Sequence, residues 1–374
     1  MMDLLDLKRP LAITMWDFSW LERRFEGGGY ENWDKAVTEL TERGYDAIRL
    51  DVYPHMLYRN PHGEFRLNPV WPPDYASWGA RETVYIKDVE KQLTGFVKIC
   101  AAHGVKLGLS TWFRDDDTRS VVKTIDTPET LAKMFIRATD VVLAAGGEIL
   151  YVDFCNEFAH WADFVRNEDG SVPFRDGKLG QYWIHGAMRE YKKAYPEIPL
   201  TFSVSTEFDR IEREDLSDYG LYEPHIWMNG DGDGRFTAAF AKVKRPGTPG
   251  ETIEQQKELY LKSKAYWDSV LTEQIRYFAA FSERTGLPLI TTECWGIIDC
   301  MDRPGTDWSW IKQLCETGVR TASATGKWAA MASNNFCGPQ FPTLWSDIEW
   351  HRKITDIIHS GSAPDKKGEY HEHT

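Results

Sequence analysis

The feature that most constrains this chain is a strict alternation of short, β-rich apolar runs with longer helical patterns. Eight runs follow one another: Leu11–Asp17, Asp46–Val52, Val105–Trp112, Glu148–Cys155, Leu200–Val204, Tyr222–Met228, Leu287–Thr292 and Lys327–Ala332. The helical patterns between and after them cover Asn32–Arg43, Ile86–His103, Pro128–Ala145, Gly180–Tyr195, Glu251–Thr285, Trp308–Thr317 and Ser346–His359. Only a short helix fits between the fifth and sixth runs. Apolar strands joined by amphipathic helices predict parallel βα units, because each crossover helix must return over a face of the sheet. With no break in composition and no internal repeat, eight such units predict an α/β fold: one (β/α)8 (TIM) barrel over residues 1–360 with long loops at 53–82 and 229–250. The polar tail, 361–374, is read as disordered. An open doubly wound sheet is the alternative, but no Gly-rich phosphate turn follows the first strand.

Composition narrows the partners. Lys and Arg number 44 against 57 Asp and Glu, a net charge of −13, so nucleic acid would meet repulsion where it needs a basic face. No run approaches the roughly 20 apolar residues of a membrane span. The acidic start, Met-Met-Asp-Leu-Leu-Asp-Leu, has no apolar leader core, which points to the cytoplasm. Six scattered cysteines without a CxxC pair read as reduced thiols, so neither a disulfide framework nor a metal or cofactor is expected. Tryptophan is abundant, at sixteen residues, and several fall in loops: Trp71, Trp78, Trp161, Trp308, Trp310 and Trp345. Indole faces stack on the C–H faces of sugars, but they also pack the shells of large cores.

In a (β/α)8 barrel, reactive groups gather at the C-terminal ends of the strands. Those ends supply Trp16 and Asp17, Arg49 and Asp51, Ser110 to Trp112, Asn156 and Glu157, Ser205 to Glu207, His225 and Trp227, Glu293 with Trp295 just beyond it, and Ser333 to Asn335. Taken singly, such residues cap helices and satisfy loop amides. Together they form a carboxylate-rich rim with two glutamates, Glu157 and Glu293, at the exits of buried strands. Hydrolysis of a glycosidic bond needs such a pair, one to protonate the leaving oxygen and one to attack or to activate water.

Asn156-Glu157 ending the fourth strand, His225-x-Trp227 on the sixth, a lone Glu293 ending the seventh and Arg49 on the second resemble the retaining (β/α)8 glycoside hydrolases around family 5. The match falls in a divergent, sugar-binding cellulase-like branch and covers roughly residues 11–360. The resemblance implies Glu157 as general acid/base and Glu293 as nucleophile. Asn156 would bond the sugar hydroxyl beside the reacting carbon, Arg49 would hold Glu293 ionised so that Glu157 keeps its proton, and His225 would bond the acid/base or the sugar. Trp16, Asp17, Trp112, Trp227, Trp295 and Asn335 are the further candidates for carbohydrate contact. Three departures stand out. Ser110-Thr111-Trp112 replaces a usual third-strand histidine, Trp227 replaces a usual tyrosine, and the usual eighth-strand tryptophan platform falls to Trp328 or Phe336.

The expected activity is a retaining O-glycosidase acting on oligosaccharides or small glycosides. A catalytically inactive carbohydrate-binding barrel is the first alternative. A metal-dependent sugar isomerase, using Asp51, Glu157, His225 and Glu293 as ligands, is the second. His160 and Trp161 follow the Asn-Glu pair closely enough to line a subsite. The loop Asn229–Arg235 lacks the spacing of an EF-hand and reads as a flexible subsite loop rather than a calcium site.

Overall fold

The computed structural model of the protein describes residues 4–71, 78–230, 233–297 and 302–364. Cys300, residues 231–232 of the Asn229–Arg235 loop and residues 365–374 of the tail lie outside the described residues.

Eight parallel strands follow in chain order: β1 (Leu11–Asp17), β2 (Ala47–Asp51), β3 (Lys106–Ser110), β4 (Ile149–Asp153), β5 (Leu200–Thr201), β6 (Ile226–Trp227), β7 (Leu289–Thr291) and β8 (Trp328–Ala332). A continuous sheet runs β5-β4-β3-β2-β1-β8-β7. Three contacts close it into a barrel: Val204 pairs with Pro224, Tyr222 with Leu289, and Cys294–Trp295 with Ile226–Trp227. Apart from the half-buried Lys106 that opens β3, the strands are buried, as the near-continuous apolar runs require. β5 and β6 are shorter than their sequence runs, whose remaining residues pair only through the isolated bridges at Val204 and Tyr222.

The helices pack outside this barrel over one contiguous hydrophobic core reaching from Leu4 to Ile358. Their boundaries follow local chemistry. Asn32, Thr127 and Asp347 each accept an N–H of the first turn of the helices Trp33–Glu42, Pro128–Ala144 and Ile348–His359.

The loops hold what periodicity did not reveal. Residues 53–82 contain the helix Pro54–Arg59 and a strand, Glu64–Leu67, that pairs antiparallel with Val84–Lys87. Ile86 therefore belongs to that hairpin, and the next helix starts at Val89. The expected single helix 251–285 is two, Pro249–Lys262 and Lys264–Thr285, broken at Ser263, and Arg235–Val243 adds another before them.

Two glycines shape the interior. A Cβ on Gly108 would sit 2.4 Å from the Tyr151 ring, so the gap on β3 is what lets that phenol cross the barrel. A Cβ on Gly318 would sit 2.6 Å from the indole of Trp295.

Candidate active site

The C-terminal ends of the strands open into a cleft of about 1060 Å³. One side carries Trp71, Trp78, Trp112 and Trp161. Glu207, Asp209, Asp233, Glu273, Tyr277, Trp227, Glu157 and Glu293 also line the cleft. The described lining includes no Lys, Arg or His.

Beneath the cleft floor lies a buried polar network centred on Arg49, a β2 residue with no solvent exposure. Its Nε and Nη2 donate to the two carboxylate oxygens of Asp17 at 2.9 and 2.8 Å. Nη2 also reaches Glu293 Oε1 at 2.7 Å and Asn156 Oδ1 at 2.8 Å. Nη1 faces His225 Nε2 at 3.1 Å and Glu223 Oε1 at 3.4 Å. Burial alone would weaken this cation, but Asp17, Glu293 and Glu223 outweigh it and hold the guanidinium well above its ordinary pKa.

Arg49 fixes the state of His225. A guanidinium can only donate, so Nε2 of His225 accepts and the ring proton resides on Nδ1. That N–H lies 3.0 Å from Glu157 Oε1 and 3.6 Å from Glu293 Oε1. Burial lowers the imidazole to about 4, a shift that the Glu293 charge only partly opposes, so the ring is neutral around pH 7.

Glu157 leaves the end of β4 with its backbone in the left-handed region, φ 48°, and its N–H held by Ser203 Oγ at 2.9 Å. Its second oxygen accepts from Trp161 Nε1 at 3.2 Å. Burial raises its pKa, partly offset by the Trp161 and Ser205 hydrogen bonds and by Arg49. Burial also pushes Glu293 up to about 7, against the pull of His225 and Arg49. The sequence reading assigned Arg49 to Glu293 alone. The guanidinium also serves Asp17, and burial together with the charges of Glu157 and Asp17 keeps Glu293 less acidic than a private ion pair would make it.

Of the residues singled out in the sequence, Glu157, Glu293, Arg49, Asn156, His225, Asp17 and Trp112 come together here. Trp112 Nε1 donates to Asp17 at 2.6 Å, so the indole at the end of β3 braces the carboxylate that orients Arg49. Both Asp17 oxygens are spent on protein partners, which makes it a support for Arg49 rather than a sugar contact. Trp227 and Asn335 line the cleft, and Asn335 Oδ1 also accepts from the Cys294 N–H at 2.5 Å.

Trp16 and Trp295 must be corrected. Along β1, Met15 and Asp17 face the cleft and the network, so the alternation of the strand turns Trp16 outward, against Tyr30 and Phe96. Trp295 is fully buried, packed on Gly318 and Trp328, with Nε1 donating to Ala332 O at 2.9 Å. Neither proposed eighth-strand platform reaches the cleft. Trp328 opens β8 at the opposite end of the barrel, and Phe336 is buried between Trp78, Trp308 and Phe341. Among the loop tryptophans, Trp71, Trp78 and Trp161 line the cleft, whereas Trp308, Trp310 and Trp345 pack the core. Asp51 is buried with its carboxylate on the Tyr53 and Trp112 amides at 2.8 Å, away from the cluster.

Glu157, His225 and Glu293 bring donor atoms within 4.8 Å of one another, as metal ligands would. The Arg49 guanidinium, however, contacts both His225 and Glu293, so a divalent cation would enter against a fixed positive charge. The network fits a guanidinium better than an ion. Glu223, which the sequence reading missed, lies just before His225 and has no solvent exposure. Its one available signal was a carboxylate inside an otherwise apolar run.

Among the described residues, no helix is long and apolar enough to cross a membrane. No curated protein matches the sequence. The crystal structure of a candidate glycoside hydrolase from Parabacteroides distasonis is 37% identical, covers 96% of this chain and 95% of its own, and superposes with a TM-score of 0.88. The GH5_18 protein of Bifidobacterium longum (11% identity, 96% and 81% coverage, TM-score 0.56) and a family 5 mannosidase from Rhizomucor miehei (9%, 94% and 93%, 0.52) share the fold. Residues 13–359 match the sugar-binding cellulase-like family across the barrel, and the chain therefore belongs to that family.

Proposed function

We propose that the protein is a retaining glycosidase that cleaves O-glycosidic bonds of short oligosaccharides or small glycosides by double displacement. The observation that carries this reading is the spacing of its two carboxyls. An oxygen of Glu157 and one of Glu293 lie within 4.8 Å of each other. Retaining enzymes hold the pair about 5–5.5 Å apart, whereas inverting ones need roughly 6.5–9.5 Å to admit a water.

Glu293, paired with Arg49, attacks the anomeric carbon while Glu157 passes its proton to the leaving oxygen. Glu157, now a carboxylate that accepts from His225 Nδ1 and Trp161 Nε1, then takes a proton from the water that releases the sugar. Asn156 Nδ2 has no protein partner, which suits a hydroxyl of the reacting sugar. The indoles of Trp112 and Trp161, 4.8 Å apart at their ring centres, supply faces for sugar rings. A cleft whose described lining carries carboxylates and no cation favours uncharged sugars over uronides or phosphorylated ones.

Proton NMR of the first product formed from a panel of aryl glycosides tests this. The expected result is retained configuration, with uronides and sugar phosphates unused. An inverted first product would remove Glu293 from the nucleophile role. An inactive binder, in contrast, would keep its sugar affinity and show no turnover at all.

A further inference from the structure

Glu223 is the one carboxyl of the Arg49 network to which the mechanism above gives no task. It is faced by Arg49 from β2, Tyr151 and Asp153 from β4, His225 beside β6, and Thr292 after β7. Its two oxygens differ sharply. Oε1 accepts from Thr292 Oγ1 at 2.6 Å, Tyr151 Oη at 3.2 Å and Arg49 Nη1 at 3.4 Å. Oε2 is buried with no partner.

An ionised carboxylate spreads its charge over both oxygens and would leave half of it bare in the barrel interior. A carboxylic acid puts its acceptor strength on one oxygen and leaves at Oε2 an uncharged hydroxyl, whose burial without a partner costs far less than that of a bare half-charge. The long contact to Arg49 agrees, because Asp17 and Glu293 approach the same guanidinium at 2.7–2.9 Å.

We propose that Glu223 is a positioning residue acting as a neutral carboxylic acid. It aligns Arg49 Nη1 on His225 Nε2, and so the imidazole on Glu157 and Glu293, without competing for the guanidinium charge that Glu293 uses. Burial and the nearby Asp153 both favour the proton, and Glu223 is pushed up to about 8 even with Arg49 opposing.

The inference rests on the glycosidase reading for its purpose, but its first test needs no substrate. The infrared difference between wild type and Glu223→Gln at pH 6.5 (roughly neutral, below the raised value) should show loss of a protonated-carboxyl carbonyl stretch. Loss of a carboxylate band instead would overturn the proposal, whether or not any glycoside is turned over. The second test is kinetic. Glu223→Leu should lower kcat about 100-fold with little change in KM, and Glu223→Gln should recover most of that loss. The acidic limb of the Glu223→Gln profile should coincide with that of wild type. A fall of that limb by roughly one unit would mean that an anion had been removed from beside Arg49, and would sink the neutral state. Equal losses in the Leu and Gln variants would sink the positioning role.

Discussion

Glu293 and Glu157 face one cleft, yet they are held in opposite ways. Glu293 is tied from below, by Arg49 at 2.7 Å, within a network whose members are buried and mutually bonded. Glu157 stands above that network on a left-handed backbone, touched by two N–H donors, His225 and Trp161, and by no close cation. A group fixed beside a guanidinium is suited to staying ionised and immobile. A group held by neutral donors at the cleft wall is suited to gaining and losing a proton. The difference in surroundings, more than the shared residue type, separates the two roles proposed for them.

The harshest test removes the proposed nucleophile. Glu293→Gln is expected to lower kcat about 10⁴-fold or more for every glycoside, whatever the leaving group, because no other group is placed to form the glycosyl bond. Glu157→Gln should be selective. Substrates with poor leaving groups should lose about 10²- to 10⁴-fold, whereas activated aryl glycosides, which need little protonation, should lose far less in the first step. Equal losses for both classes would break the comparison, since Glu157 would then not be the acid. Calorimetry adds a second reading of the same variant. Burial raises Glu157 in the native state, so its stabilising proton is fully present below the unfolded value and is lost as pH rises through the folded one. A glutamine cannot ionise, so Glu157→Gln should gain on wild type in Tm at pH 8 relative to pH 5 (roughly the two sides of that window).

The barrel and the two glutamates were legible because they depend on signals that survive in one sequence: strand periodicity, helix punctuation, and polar residues where apolar runs end. The tryptophans were not legible in the same way. Trp16 and Trp112 both sit at strand ends, but alternation along β1 sends the first into the helical layer. A kink in the chain after β3, where Phe113 adopts φ 51°, leaves the second facing the cleft. Trp295 is removed from the site by Gly318, 23 residues away in sequence (318 − 295), a pairing no local pattern announces. Glu223 was hidden because a buried carboxyl is justified only by partners from three other strands. Its meaning is entirely tertiary.

Arg49 is where the two settings meet, and Arg49→Lys sharpens the contrast. A lysine offers a point charge in place of a planar fork and cannot serve Asp17, Asn156, Glu293 and His225 together. Glu293 is already raised to about 7 by burial with Arg49 opposing. Weakening that opposition raises it further, so the acidic limb of kcat/KM should move to higher pH, with about a tenfold to 100-fold loss at pH 6 (roughly one unit per lost ionic contact). An unmoved limb would mean that Arg49 does not set the charge of Glu293.

The smallest expected effect probes the acid side. Trp161 Nε1 donates to Glu157 Oε2, a bond that favours the ionised form, and its loss should raise the Glu157 pKa. Trp161→Phe keeps an aromatic face beside Trp112 but removes the N–H. The alkaline limb, which falls as Glu157 loses its proton, should therefore move upward by about half a unit, with the acidic limb in place. Activity near neutral pH should fall only about two- to fivefold, the order expected for one neutral hydrogen bond. If both limbs moved together, the proton affinities of Glu157 and Glu293 would belong to the pair rather than to either residue. The division of labour would then arise only when substrate enters and separates them.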